Sequence, residues 1–176
     1  MPKQLKIALL AFGAFVVVIL VVASFLPSEF SVEREITINE KADSVFIECA
    51  DLTRFRQWEP WSEMDSTIVD EFSGPVAKEG MKWSWKGDIM GPGSLTLTTV
   101  KQNEIIQSEL IFGEEGDFKN QNIWIFEPQG DKTKLRWILR GELSYPFNRF
   151  VGLFLEEQVE QDFDKGLKKL KSRCES

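Results

Sequence analysis

A run of 20 residues without a charge, Ile7 to Leu26, constrains this chain more than any other feature. As a helix rising about 1.5 Å per residue it is roughly 30 Å long, the thickness of a bilayer's hydrocarbon core. Lipid offers no partner to backbone amides, so the run is expected to be helical despite its valines. Lys3 and Lys6 precede it, whereas Glu29, Glu33, Arg34 and Glu35 follow. The positive-inside rule then keeps residues 1–6 in the cytoplasm. It makes 7–26 a single transmembrane helix and places the rest on the periplasmic or extracellular side. A cleaved signal peptide is the alternative, since Val22 and Ser24 are small enough to precede a cut. Its apolar region would be only about 7–15 residues, so length argues for an uncleaved anchor. No cysteine lies near the end of the run to support a lipoprotein anchor.

The 150 residues from Pro27 to Ser176 suffice for one domain with a real core. They carry 19 basic and 28 acidic side chains, a net charge of −9. That field repels phosphate backbones and no basic stripe interrupts it, which argues against a nucleic-acid partner. Cys49 and Cys174 are the two cysteines. In an exported domain they could pair, but spacing does not show that they meet, and two free thiols are the simpler reading. Nothing in the sequence sets an oligomeric state.

Hydrophobic periodicity divides the domain. Phe30 to Ile38 alternates as a half-buried strand, and Lys41 to Leu52 places Val45, Phe46, Cys49 and Leu52 on one helical face. An irregular stretch, Thr53 to Asp65, carries Trp58 and Trp61, read as pins holding that helix to the sheet. Strand-like runs follow at Thr67–Phe72, Met81–Lys86, Ser94–Lys101, Ile105–Phe112, Phe118–Glu127 and Thr133–Glu142. Gly91-Pro92-Gly93 is read as one of the turns between them. Phe147, Val151, Leu155, Val159, Phe163, Leu167 and Leu170 then mark one amphipathic helix of about 20–25 residues. Strand, helix, six antiparallel strands and a long helix make an α+β fold, with the last helix covering the sheet's apolar face.

Local sequence carries a resemblance over roughly Phe30 to Lys171. Ile38-Asn39 ends a strand, Val45-Phe46 and Asp51-Leu52 follow on the helix, and Trp58-Glu59-Pro60-Trp61 comes next. With "FSGPVAKEGMKWSWKGD" and the terminal "DFDKGLKKLK", this resembles membrane-anchored members of the START-like (SRPBCC) superfamily. That superfamily includes polyketide cyclase/dehydrase-like and Bet v 1-like proteins. Lys41 stands where relatives usually have proline. The resemblance implies a helix-grip domain, residues 30–172, in which a curved antiparallel sheet wraps the C-terminal helix around a deep apolar cavity. Relatives use it for lipids, sterols or polyketides, and the fold alone does not fix an activity.

Large apolar strand residues, most of them aromatic, are the ligand-binding candidates: Trp83, Trp85, Leu97, Phe112, Trp124, Phe126 and Trp137. A filled core is the competing reading of each. Phe150 and Phe154 join them from the segment Tyr145–Leu155, apolar around most of its circumference and read as a cavity gate or a tip dipping into the bilayer. The chain has no histidine, which removes Ser-His and Cys-His devices and the usual zinc sites, so no metal or cofactor is expected. Glu59, Glu63 and Asp65 beside the tryptophans are the only acid/base candidates, with capping of a wet turn as the simpler reading. Glu114, Glu115 and Asp117 offer too few oxygens for calcium and are read as a solvated hairpin tip. The function expected is non-covalent binding of an apolar or amphipathic, lipid-like molecule by a membrane-tethered domain. A cyclase/dehydratase-like enzyme and a ligand-free envelope interaction module are the alternatives.

Overall fold

The computed structural model describes residues 2–113 and 118–176. Helix α1, Lys3–Phe25, takes up the apolar run and is long and apolar enough to cross a membrane. Leu26, Pro27 and Ser28 separate it from strand β1, Glu29–Ile38. Helices α2, Ala42–Ala50, and α3, Leu52–Phe55, follow, then a 3-10 turn at Trp61–Met64. Six strands come next: β2, Val69–Ser73; β3, Lys82–Gly87; β4, Gly91–Lys101; β5, Ile105–Phe112; β6, Phe118–Gln129; β7, Lys132–Glu142. Helix α4, Phe147–Cys174, closes the chain.

The strands form one antiparallel sheet in the order β1-β7-β6-β5-β4-β3-β2. Neighbours in sequence are neighbours in space, except that β1 closes on β7. This is the helix-grip α+β architecture. The calcium reading of Glu114, Glu115 and Asp117 lies outside the described residues.

Two expectations change. Gly91-Pro92-Gly93 is not a turn but the first part of β4. Gly93 faces Trp85 across the ladder, and a Cβ there would collide with the indole. The ring covers the glycine, and this packing overrides the local turn signal. Helix α4 is longer than its expected 20–25 residues, at 28, and only its second half is buried, through Val159, Phe163, Leu167 and Leu170. A stripe stepping by four drifts about 40° per step on an α-helix. Phe147 has therefore rotated away from the sheet, and Val151 stands exposed at the edge of the space between helix and sheet.

The core is aromatic. Phe163 of α4 stacks on Trp137 of β7 at 3.8 Å with 9° between the planes. Phe55 meets Trp58 and Trp124 edge-on at 4.8 and 5.1 Å, geometries that aromatic quadrupoles prefer. Trp58 donates its indole N–H to the carbonyl of Glu48 at 2.9 Å, holding α3 to α2. The end of α4 is lashed down by charge: Arg173 reaches Glu48 at 3.0 Å, and Lys171 donates to the carbonyl of Thr37 at 2.6 Å.

Candidate functional site

Two adjoining spaces lie against the sheet, one facing α4 and the other facing the segment from Phe55 to Ser62. The larger is a groove of about 540 Å³. Phe30, Phe112, Leu139 and Leu143 form its sheet side, and Val151, Leu155 and Val159 its α4 side. Asn120, Glu142, Asn148, Gln158 and Asp162 supply the few polar groups along it. Alternation along β7 places Trp137 and Leu139 on one face, so the pattern that marks the first marks the second as well. The smaller space, about 20 Å³, sits deeper, among Phe55, Glu59, Ile68, Trp83, Trp85 and Leu95. Trp61, Leu110 and Phe112 line both, so the wall between the two is a layer of side chains.

The structure sorts the aromatic candidates. Trp83, Trp85 and Phe112 line these spaces. Leu97, Trp124, Phe126 and Trp137 line neither and belong instead to the packed core. Trp137 is held there by more than packing. Its indole N–H donates to Asn122 Oδ1 at 2.5 Å, and Asn122 Nδ2 donates to Ser108 Oγ at 3.0 Å. This buried polar chain ties β5, β6 and β7 together, and Asn122 also lines the smaller space. Phe150 and Phe154 also fall outside both walls. Phe150 is half-buried, and Phe154 has 75% of its surface exposed. Trp61, read from sequence as structural, instead lies within 5.8 Å of Trp137 and faces both spaces.

The three carboxylate candidates do not converge. Glu59 is buried against the small pocket, and burial raises its pKa against the opposing effect of its hydrogen bonds. Its carboxylate accepts from the amides of Trp61 and Ser62 at 2.7 and 3.1 Å, and Arg56 approaches at 3.4 Å. It thus caps the 3-10 turn. Glu63 is exposed on the outside, and its bond to Lys169 at 2.6 Å lowers its pKa. Asp65 is buried but fully occupied. Its two oxygens accept from the Thr67 hydroxyl and amide and from the amides of Ile89 and Met90. These bonds, the Thr67 hydroxyl first, hold its carboxyl well below the usual range. Asp65 clasps the loop between β3 and β4; it is not aimed at either cavity. Among the described residues no cluster of three or more Cys, Asp or Glu side chains is arranged to hold a metal.

An apolar groove gripped between a curved sheet and a long helix defines a class of hydrophobic ligand-binding folds. The family model for polyketide cyclase/dehydrase and lipid transport matches residues 29–175, and the chain belongs to that family. Solved structures share the fold. A protein from Thermus thermophilus is 20% identical, with a TM-score of 0.61 over 82% of this chain and 97% of its own. A Chromobacterium violaceum protein is 14% identical, with a TM-score of 0.61 over 83% and 97%. Norcoclaurine synthase from Thalictrum flavum, a point mutant in complex with a transition-state analogue, is 12% identical, with a TM-score of 0.62 over 84% and 97%. No curated protein matches the chain in sequence.

Proposed function

We propose that this protein binds an apolar or amphipathic, lipid-like molecule non-covalently while α1 tethers it to a membrane, with the domain on the periplasmic or extracellular side. The groove between β7, β6 and α4 carries this reading: its volume of about 540 Å³ falls in the range of small-molecule sites, and its walls are largely apolar. Binding draws on the burial of ligand surface, at roughly 25 cal/mol per Å² of apolar area. Asn120, Glu142, Asn148, Gln158 and Asp162, spread along the groove, offer partners to a polar group on the ligand. The small pocket has room for a few atoms at most beside Glu59, so an acid/base reaction has no substrate space there.

Native mass spectrometry of the full chain, released from nanodiscs, tests the proposal. A co-purifying mass of lipid size is expected. Val151→Trp and Leu155→Trp, which narrow the groove from positions at its margin, should reduce that adduct without lowering the melting temperature. A bare protein mass that persists after incubation with total membrane lipids would overturn the proposal and favour a protein-interaction module.

A further inference from the structure

The first half of α4 is built unlike the second. Tyr145, Phe147, Val151, Leu153 and Phe154 are all exposed, although they are large and apolar. From Tyr145 to Leu155 the only charge is Arg149; the acidic residues begin at Glu156 and Glu157. An uncharged, exposed apolar stretch on a domain otherwise so acidic needs a covering surface.

What adjoins it is the end of α1. Arg149 donates to the carbonyls of Ala23 and Leu26 at 3.1 and 3.4 Å. These are carbonyls of the helix terminus, Ala23's also accepting from the Leu26 amide at 3.3 Å, and they carry the negative end of the helix dipole. One turn further down α1, the Tyr145 hydroxyl donates to the carbonyl of Leu20 at 2.9 Å. The Arg149 guanidinium also lies 5.4 Å from the Tyr145 ring. The Leu143 amide donates to the Ser28 carbonyl at 2.7 Å and ties β7 to the same joint. Ala23 is fully buried by these contacts. The start of α4 is therefore fixed to the last turns of α1, with Tyr145 about 5 Å below Arg149 along the helix axis.

We infer that the exposed face of α4 from Phe147 to Phe154 lies in the headgroup region of the same bilayer that holds α1, so that the groove opens onto the leaflet. The inference rests on the reading of α1 as a membrane span. The Tyr145 hydroxyl, on the Leu20 carbonyl, then lies about 9 Å inside the outer end of the apolar run, within the depth interfacial helices reach, and Phe147, half-buried Phe150, Val151 and Phe154, at i, i+3, i+4 and i+7, form the inserting stripe. The groove begins at this end: Phe30, Glu142, Leu143, Asn148 and Val151 line it beside the α1 joint. Leu155, one turn on, faces into it. Its ligand is accordingly an amphiphile that passes sideways from the leaflet without crossing water.

Depth-dependent fluorescence quenching tests this. The full chain with Cys174→Ser is reconstituted in phosphatidylcholine/phosphatidylglycerol vesicles, with an NBD label on a single added cysteine. Phe154→Cys probes α4 and Phe15→Cys probes the middle of α1. Lys132→Cys serves as the distal reference, because it lies at the far end of β7, roughly 30 Å from the joint. Lipids with a nitroxide near the headgroup should quench the label at 154 at least twofold more than at 132, and deep nitroxides should quench at 15. If 15 is quenched and 154 behaves like 132, the domain stands off the membrane and the inference fails while the tether survives. If 15 is unquenched as well, α1 does not span the bilayer, and both readings fall.

Discussion

Removing the indole of Trp137 should cost this domain much of its stability without touching a groove wall. The side chain is fully buried, stacked on Phe163 and ringed by Phe55, Trp58, Trp61 and Trp124. Truncation to alanine leaves a cavity worth about 3–5 kcal/mol. It also orphans Asn122 Oδ1, which adds about 1–3 kcal/mol for an unsatisfied buried acceptor. Against a typical stability of about 5–15 kcal/mol, the sum approaches unfolding. Trp137→Phe keeps a ring against Phe163 and loses the donor, so it should cost about 1–3 kcal/mol plus a smaller packing loss. Urea unfolding of the full chain in micelles, followed by circular dichroism at unchanged m-value, measures both. Apolar-probe binding by whatever remains folded should be intact. A cost below about 2 kcal/mol for Trp137→Ala would refute the reasoning, because a residue that small in effect fills no core. Equal costs for the two variants would also refute it, by showing that the hydrogen bond and not packing dominates.

Other outcomes follow from individual groups. The carboxyl of Asp65 is held low, so its contribution to stability is present above about pH 4, the unfolded value, and is lost as pH falls through its lower folded value. Asp65→Asn should flatten the acid limb of a pH–stability curve and speed amide exchange at Ile89 and Met90. Glu59 has the opposite sign: with a raised folded pKa it destabilises progressively as pH rises from its ordinary value of 4.5 to its folded one. Glu59→Gln should remove that decline in melting temperature. Both cysteines are free, and burial raises both thiols, Cys174 to about 11 and Cys49 well above its ordinary value. Maleimide should label Cys174 slowly at pH 8, faster as pH rises, and reach Cys49 only on unfolding; rapid labelling of both in the native state would contradict the packing.

Much of this fold was legible because the strands alternate and the helices do not. Seven strands in meander order can be read from Phe30 to Glu142, and an apolar face that wide calls for α4. What the sequence hid depends on partners distant along the chain. Glycine, proline and glycine at 91–93 spell a turn until Trp85 lies across them. Alternation puts Trp124 and Trp137 on the concave face but is silent on whether that face is filled. Phe55, Trp58 and Phe163 fill it, and they come from two segments more than a hundred residues apart. The groove survives only farther along β7, where Leu139 and Leu143 meet the half of α4 that has turned outward. Arg149 was unremarkable in sequence, since nothing local marks a side chain that caps a helix ending more than a hundred residues earlier.

The joint at residues 26–28 also sets a reach. Three residues can span at most about 10 Å, and the hydrogen bond between Leu143 and Ser28 takes up even that slack. On the proposed reading of α1 as a membrane span, a domain held on so short a joint explores a plane, not a volume. Held in that way it would meet molecules of the same membrane at high effective concentration and would not carry cargo to an opposite one. On that reading, a ligand taken up from the leaflet would be released within the same membrane.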